Sequence, residues 1–138
     1  MFSILFGVFI VLHGLVHLWF FTLSQGLIEL KPDMPDVGWT GKSWLFTSIL
    51  GDATTRGLAS GLYIVATIGF VIGGIGIFGQ QEWARMVLVA SAALSAAVII
   101  LFWDGGLQLV VQKGLIGLLI SLAILLALLG PWRSAAAF

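Results

Sequence analysis

Two histidines, His13 and His17, stand four residues apart inside an otherwise apolar run at 2–23. That spacing puts both rings on one face of a helix. A neutral imidazole offers one donor and one acceptor near neutral pH, so the pair could serve haem, a metal, a quinone carbonyl or a proton relay. Rings on adjacent turns of one helix cannot both be axial ligands of one haem, and a bis-histidine haem would need a second subunit. A histidine zinc site needs further ligands, and the chain has two histidines in all and no cysteine. No metal centre is expected. The structural alternative is two neutral rings hydrogen-bonded across neighbouring helices to Ser, Thr or backbone carbonyls. Hydrolysis has no support, because the serines of the apolar runs lack a histidine or acid at helical spacing.

The element that positions these rings must be a membrane helix. Hydrophobic residues make up 60% of the 138 positions and charged ones 9%, against roughly 25% charged in a soluble domain, and the mean hydropathy is +1.15. Soluble domains of this size cover themselves with charge, so lipid is the expected outer solvent. A formal net charge of zero removes the electrostatic case for nucleic acid. Four runs are long enough to cross a bilayer, at about 2–23, 57–79, 83–103 and 107–130. Trp83 and Trp103 bound the third as interface anchors, and Pro131-Trp132-Arg133 ends the fourth. The expectation is an all-α integral membrane four-helix bundle, one transmembrane domain over 1–138, multi-pass in the cytoplasmic (inner) membrane. The start of the chain, with no basic region before its apolar run, reads as a retained first helix.

The loop at 24–56 holds most of the charge, including Glu29, Lys31, Asp33, Asp36, Lys42 and Asp52. Pro32 and Pro35 exclude one continuous helix there. Its second half, with Trp44, Leu45, Phe46, Ile49 and Leu50, is too apolar for a free loop and predicts a short interfacial helix at about 43–50. Gly41-Lys42-Ser43 lacks the upstream glycine and strand of a phosphate-binding loop. Lysines and arginines lean weakly toward a cytoplasmic long loop, Lys31, Lys42, Arg56 and Lys113 against Arg85, Arg133 and the amino end, a margin that leaves orientation open.

Helix direction sorts the remaining polar residues. His17, Arg56, Ser60, Tyr63, Asp104, Gln108, Gln112 and Lys113 all fall in the half of the bilayer nearest the long loop, so a polar pocket open to that side is expected. Candidate ligand-binding residues are His13, His17, Tyr63, Asp104, Arg56 and Lys113, and no catalytic residue is assigned. Asp104 with Lys113 or Arg56 reads equally as an ion pair holding helix ends. Gly57 and Gly61, then Gly69 and Gly73, repeat every four residues, and Ala84, Ser91, Ala92, Ser95 and Ala96 form a stripe. Such faces let helices approach closely in lipid.

The run from Phe6 to Leu18, which contains His13-Gly14 and His17, resembles the first helix of DoxX-like membrane proteins. Gly73-Gly74, followed by Trp83-Ala84-Arg85, is similar to that family's glycine turn into its third helix. The resemblance covers about half the chain and implies a four-helix membrane bundle with redox associations, including subunits of quinone-linked oxidation. His13, Gly14, Gly73, Gly74 and Arg85 are the matching positions. The chain departs from the pattern at His17, where the family has lysine, at Phe70, where it often has an acid, and in having no arginine at the start of the first helix. Two functions follow from different classes. One is an accessory or hydrophobic-ligand-binding module that packs on lipid, on itself or in a larger membrane complex. The other is a redox subunit, part of a quinone-linked oxidoreductase, binding quinone or haem. A small-molecule transporter is a third, without a mid-membrane carboxylate to couple protons.

Overall fold

A computed structural model describes residues 2–25, 27, 42–108 and 110–130. The expectations for the acidic and proline-bearing part of the long loop and for Pro131-Trp132-Arg133 lie outside the described residues. Among the described residues every regular element is helical: α1 (Phe2–Ser24), α2 (Thr47–Leu50), α3 (Asp52–Phe78), α4 (Trp83–Leu101) and α5 (Ile116–Leu129), the last preceded by a wide π-type turn, Val111–Leu115. Four segments are long and apolar enough to cross a membrane, with Val111–Leu129 as the fourth. The protein is an all-α four-helix bundle of the multi-pass membrane class.

Sequence neighbours pack as neighbours: α1 against α3, α3 against α4, α4 against α5. Ile4, Val65, Ile68, Met86, Leu119 and Leu126 point outward, as lipid-facing positions do. Inside are two apolar clusters. One gathers Ile10, Phe70, Leu88, Ala92 and Ile124 toward the chain ends. The other gathers Phe20, Ala59, Tyr63, Val98 and Phe102 toward the long loop. On α1, α4 and α5 the polar residues His13, His17, Ser95 and Ser121 fall between them.

The segment after the long loop differs from the expected helix over 43–50. Residues 44–46 form a turn and only Thr47–Leu50 is helical. Ser43 caps this turn: its Oγ accepts the amides of Leu45 and Phe46 at 3.1 and 2.9 Å while its own amide donates to Thr47 Oγ1 at 2.7 Å. Serine hydroxyls in this position satisfy amides that the start of a helical turn leaves unpaired. The turn docks on the end of α4. Ser43 Oγ donates to the Leu101 carbonyl (2.6 Å), the Trp44 amide to that of Trp103 (2.7 Å) and Trp44 Nε1 to that of Ile100 (2.9 Å), so carbonyls that a helix C-terminus leaves unpaired are satisfied. At the opposite end of the bundle, Arg85 Nη2 donates to the Leu128 carbonyl at 2.6 Å and places a cation at the negative end of the α5 dipole.

Between α3 and α4 the chain turns through Gly79-Gln80-Gln81. The Gln81 amide donates to Gly76 O (2.9 Å) and that of Gln80 to Ile77 O (3.0 Å), the paired bonds of a Schellman ending. Its left-handed position is filled by Gln80, at φ 51°, where a side chain costs about 1–2 kcal/mol. Gln80→Gly is therefore expected to stabilise the protein by about 1 kcal/mol, read as a higher unfolding midpoint in mild detergent.

Candidate functional site

The histidines close a ring of hydrogen bonds across three helices. His17 Nε2 lies 2.6 Å from Ser95 Oγ on α4. Ser95 Oγ lies 2.9 Å from Ser121 Oγ on α5, and Ser121 Oγ lies 3.2 Å from His13 Nε2. His17 Nδ1 closes the ring on the His13 backbone carbonyl at 3.0 Å. All four residues are buried.

One bond sets the direction of the others. A carbonyl only accepts, so the proton of His17 is on Nδ1 and, in a neutral ring, Nε2 is an acceptor. Ser95 then donates to His17 Nε2, Ser121 donates to Ser95, and His13 Nε2–H donates to Ser121. Each of these bonds has one donor and one acceptor and the network carries no net charge, which favours polar groups at membrane depth. His13 and His17 therefore carry opposite tautomers.

Aromatic rings enclose this network. Phe70 of α3 packs edge-on to His13 (centroids 5.0 Å) and tilted to His17 (5.5 Å). Tyr63 lies 6.1 Å from His17 and stacks on Phe20 at 5.3 Å. Phe70 thus contributes an apolar wall. Nearer the long loop, Ser24 and Ser60 bond to each other, and Gln25 Nε2 donates to Ser60 Oγ at 2.7 Å.

Asp104 and Lys113 form a second polar group, 2.6 Å apart, with side chains 14% and 9% exposed. Asp104 Oδ1 also accepts the Gly106 amide at 2.9 Å, and Trp103 Nε1 donates to the Gly106 carbonyl at 3.1 Å. This turn replaces the expected start of the last helix at 107. The helix begins instead through the wide turn at Val111–Leu115, where Gly114 takes φ 113°. That conformation suits glycine, and a Cβ would also stand 3.2 Å from Ile99 Cγ2. Arg56 is exposed on the first turns of α3, and Asp104 pairs with Lys113.

An apolar pocket lies beside the Asp104–Lys113 pair. A cavity of about 250 Å³ opens between the end of α4 and the start of the last span, walled by Ile99, Ile100, Trp103, Leu107, Lys113 and Leu118 among others. Among the described residues Lys113 is its one charged wall residue. Among the described residues no three His, Cys, Asp or Glu side chains are placed to hold a metal.

The four glycines expected to pack helices divide into two pairs. A Cβ at Gly69 would meet Ser91 and one at Gly73 would meet Leu88, both on α4, whereas Gly57 and Gly61 have nothing within 4 Å. The close approach missed by that pattern lies on α1. At Gly14 a Cβ would stand 2.6 Å from Phe70 Cβ and 3.3 Å from the Thr67 carbonyl, and at Gly74 it would stand 2.6 Å from Val11 Cγ2. Sequence reasoning also missed Ser121 altogether, and it placed Ser95 only in the small-residue stripe.

These features define a membrane four-helix bundle with a closed buried histidine–serine ring and, apart from it, an apolar interfacial pocket. No family model matches the chain, and neither a curated protein nor a solved structure matches it.

Proposed function

We propose that this protein is a non-catalytic module of the cytoplasmic membrane that binds a hydrophobic ligand, working as an accessory component of a membrane assembly. The observation that carries the reading is the 250 Å³ pocket. It is apolar and it sits at the level of the Trp103 anchor, with the greasy wall expected of a site for a hydrophobic molecule. The histidines support the same reading, since both nitrogens of His17 and Nε2 of His13 already have partners. Ligation of a haem by His17, or by Nε2 of His13, would require that ring to give up a bond to a serine or a carbonyl.

The purified protein is expected to be colourless, with no Soret band and no copurifying quinone. A brominated alkane titrated into the detergent-solubilised protein is expected to quench a saturable part of the tryptophan fluorescence, and Trp103→Phe should remove that part. A Soret band that disappears in His13→Ala would replace this proposal with the redox reading. Quenching that rises linearly and equally in both proteins would end the ligand-binding one.

A further inference from the structure

The last span starts late. An unbroken helix from 107 would lay its first turn against the end of α4, but the chain forms the Gly106 turn, and among the described residues the helix begins at Val111, through the wide turn in which Gly114 takes φ 113°. About one turn of helix is missing as a result. The 250 Å³ cavity lies there, with Ile99, Ile100 and Trp103 on the α4 side and Leu107 and Leu118 on the other. Lys113 lends the wall its methylene stem, as long cationic side chains do, while its ammonium pairs with Asp104 at 2.6 Å.

An apolar lining selects by exclusion. A ligand that carried carbonyl or carboxylate groups into this cavity would bury oxygens against hydrocarbon with no donor to meet them, which is unfavourable. The occupant is therefore hydrocarbon along its whole buried length. Volume selects further, because about 250 Å³ is below the roughly 300–1,000 Å³ of pockets that enclose a drug-sized molecule. The rim shows where the hydrocarbon comes from. Ile100 is 47% exposed and Leu107 77% exposed, whereas Ile99, at 7%, forms the floor. The cavity is thus continuous with the apolar outer surface that lipid covers. Trp103 sets its level at the edge of the hydrocarbon, where a chain descends from a lipid headgroup. Helices in lipid are held by dispersion contacts, which an unfilled groove forfeits.

We propose that the cavity holds one unbranched acyl chain of a bilayer lipid, which packs in place of the missing helical turn and is selected by its chain and not by its headgroup. The proposal rests on the ligand-binding reading above and names the ligand class. A slender chain reaches Ile99 and Leu118 together, and methyl branches along it meet the walls before it does.

The test is quenching of Trp103 fluorescence, taken as the difference between the unaltered protein and Trp103→Phe, by a phosphatidylcholine brominated near the headgroup end of one chain in mild detergent. The quenching should saturate, and unbrominated lipids should reverse it by competition. Straight-chain phosphatidylcholine and straight-chain phosphatidylglycerol are expected to compete equally, and a methyl-branched phytanoyl phosphatidylcholine about tenfold more weakly, the low end for a misfitting carbon in a hydrophobic pocket. Ile100→Phe fills the cavity from its rim and should weaken all three, with helix content checked by circular dichroism. Equal competition by straight and branched chains overturns chain selection while leaving a hydrophobic site. A preference between the two headgroups overturns selection by chain alone. Unchanged quenching in a folded Ile100→Phe overturns the placement of the chain. Saturable quenching by a brominated alkane but by no lipid overturns this proposal and leaves the ligand-binding reading standing, and saturable quenching by neither overturns both.

Discussion

Gly14→Leu is expected to destabilise the bundle by about 3 kcal/mol, near the upper end for overpacking a close-packed contact, whereas Gly61→Leu should change stability by less than about 0.5 kcal/mol. Both glycines lie in apolar helices, and the difference is what faces them. A Cβ on Gly14 would meet Phe70 Cβ at 2.6 Å and the Thr67 carbonyl oxygen at 3.3 Å. These atoms belong to the trunk of α3, so no side-chain rotation relieves the clash and the two helices must move apart. Gly7 offers the intermediate case, because its neighbour at 2.5 Å is the ring edge of Phe78, a half-exposed side chain that can swing away. The separation forced at Gly14 would reach further than one contact. Phe70 packs on both histidines, so a shift of α1 from α3 also loosens the aromatic wall of the polar ring. The measurement is unfolding by SDS titration from mild detergent, followed by far-ultraviolet circular dichroism. Equal stability of Gly14→Leu and Gly61→Leu would mean that α1 and α3 do not cross at Gly14. A loss in Gly61→Leu alone, accompanied by a change in oligomeric state, would place the outward glycines in an interface between copies.

The membrane bundle was legible because hydropathy and helix length are local quantities. Trp83 and Trp103 bracketed the third span to within two residues of its observed end at Leu101, since an interface anchor and a helix end share one cause, the edge of the hydrocarbon. What could not be read was rotation about each helix axis. A spacing of four puts His13 and His17 on one face of α1, but that periodicity says nothing of which neighbour the face meets. Their partners, Ser95 and Ser121, lie 78 and 108 residues along the chain from the histidines they contact. The same limit explains the glycines. Gly57 and Gly61 repeat as Gly69 and Gly73 do, yet only the second pair faces α4. Irregular backbone was hidden for a different reason. Gly114 looks like any residue of an apolar run, and its φ of 113° arises because the Asp104–Lys113 pair and the Gly106 turn set how the chain enters the last helix. Ser43 was visible as the first residue of an apolar segment, but the docking of its hydroxyl on the Leu101 carbonyl, 58 residues away, was not.

His17→Ala is expected to lower stability by about 3 kcal/mol, combining the cavity left by a buried ring with the loss of a hydrogen-bond acceptor. The ring of His17 contacts Phe70 and Tyr63, and its removal leaves the Ser95 hydroxyl without the acceptor now 2.6 Å away. Hydrogen bonds between membrane helices average about 0.6 kcal/mol in mutant cycles, so most of the loss should come from packing. Ser95→Ala separates the two contributions. It removes little volume and leaves His17 Nε2 unpaired, and its expected effect is about 1 kcal/mol. In His17→Ala the Ser95 hydroxyl has already lost its acceptor, so adding Ser95→Ala should cost less than it does alone. That shortfall measures the bond, and strict additivity of the two changes would show that the rings and serines are not coupled. Tautomers give an independent reading of the same network. Nitrogen-15 NMR of the protein in bilayers should find His17 protonated on Nδ1 and His13 on Nε2, the pair of states dictated by the bond from His17 Nδ1 to the His13 carbonyl. Identical tautomers at the two positions would break the chain of donors and acceptors at Ser95 or Ser121. With the order His13 to Ser121 to Ser95 to His17 intact, the two histidines act as a polar tie among α1, α4 and α5, holding together helices whose outer faces already match the lipid around them.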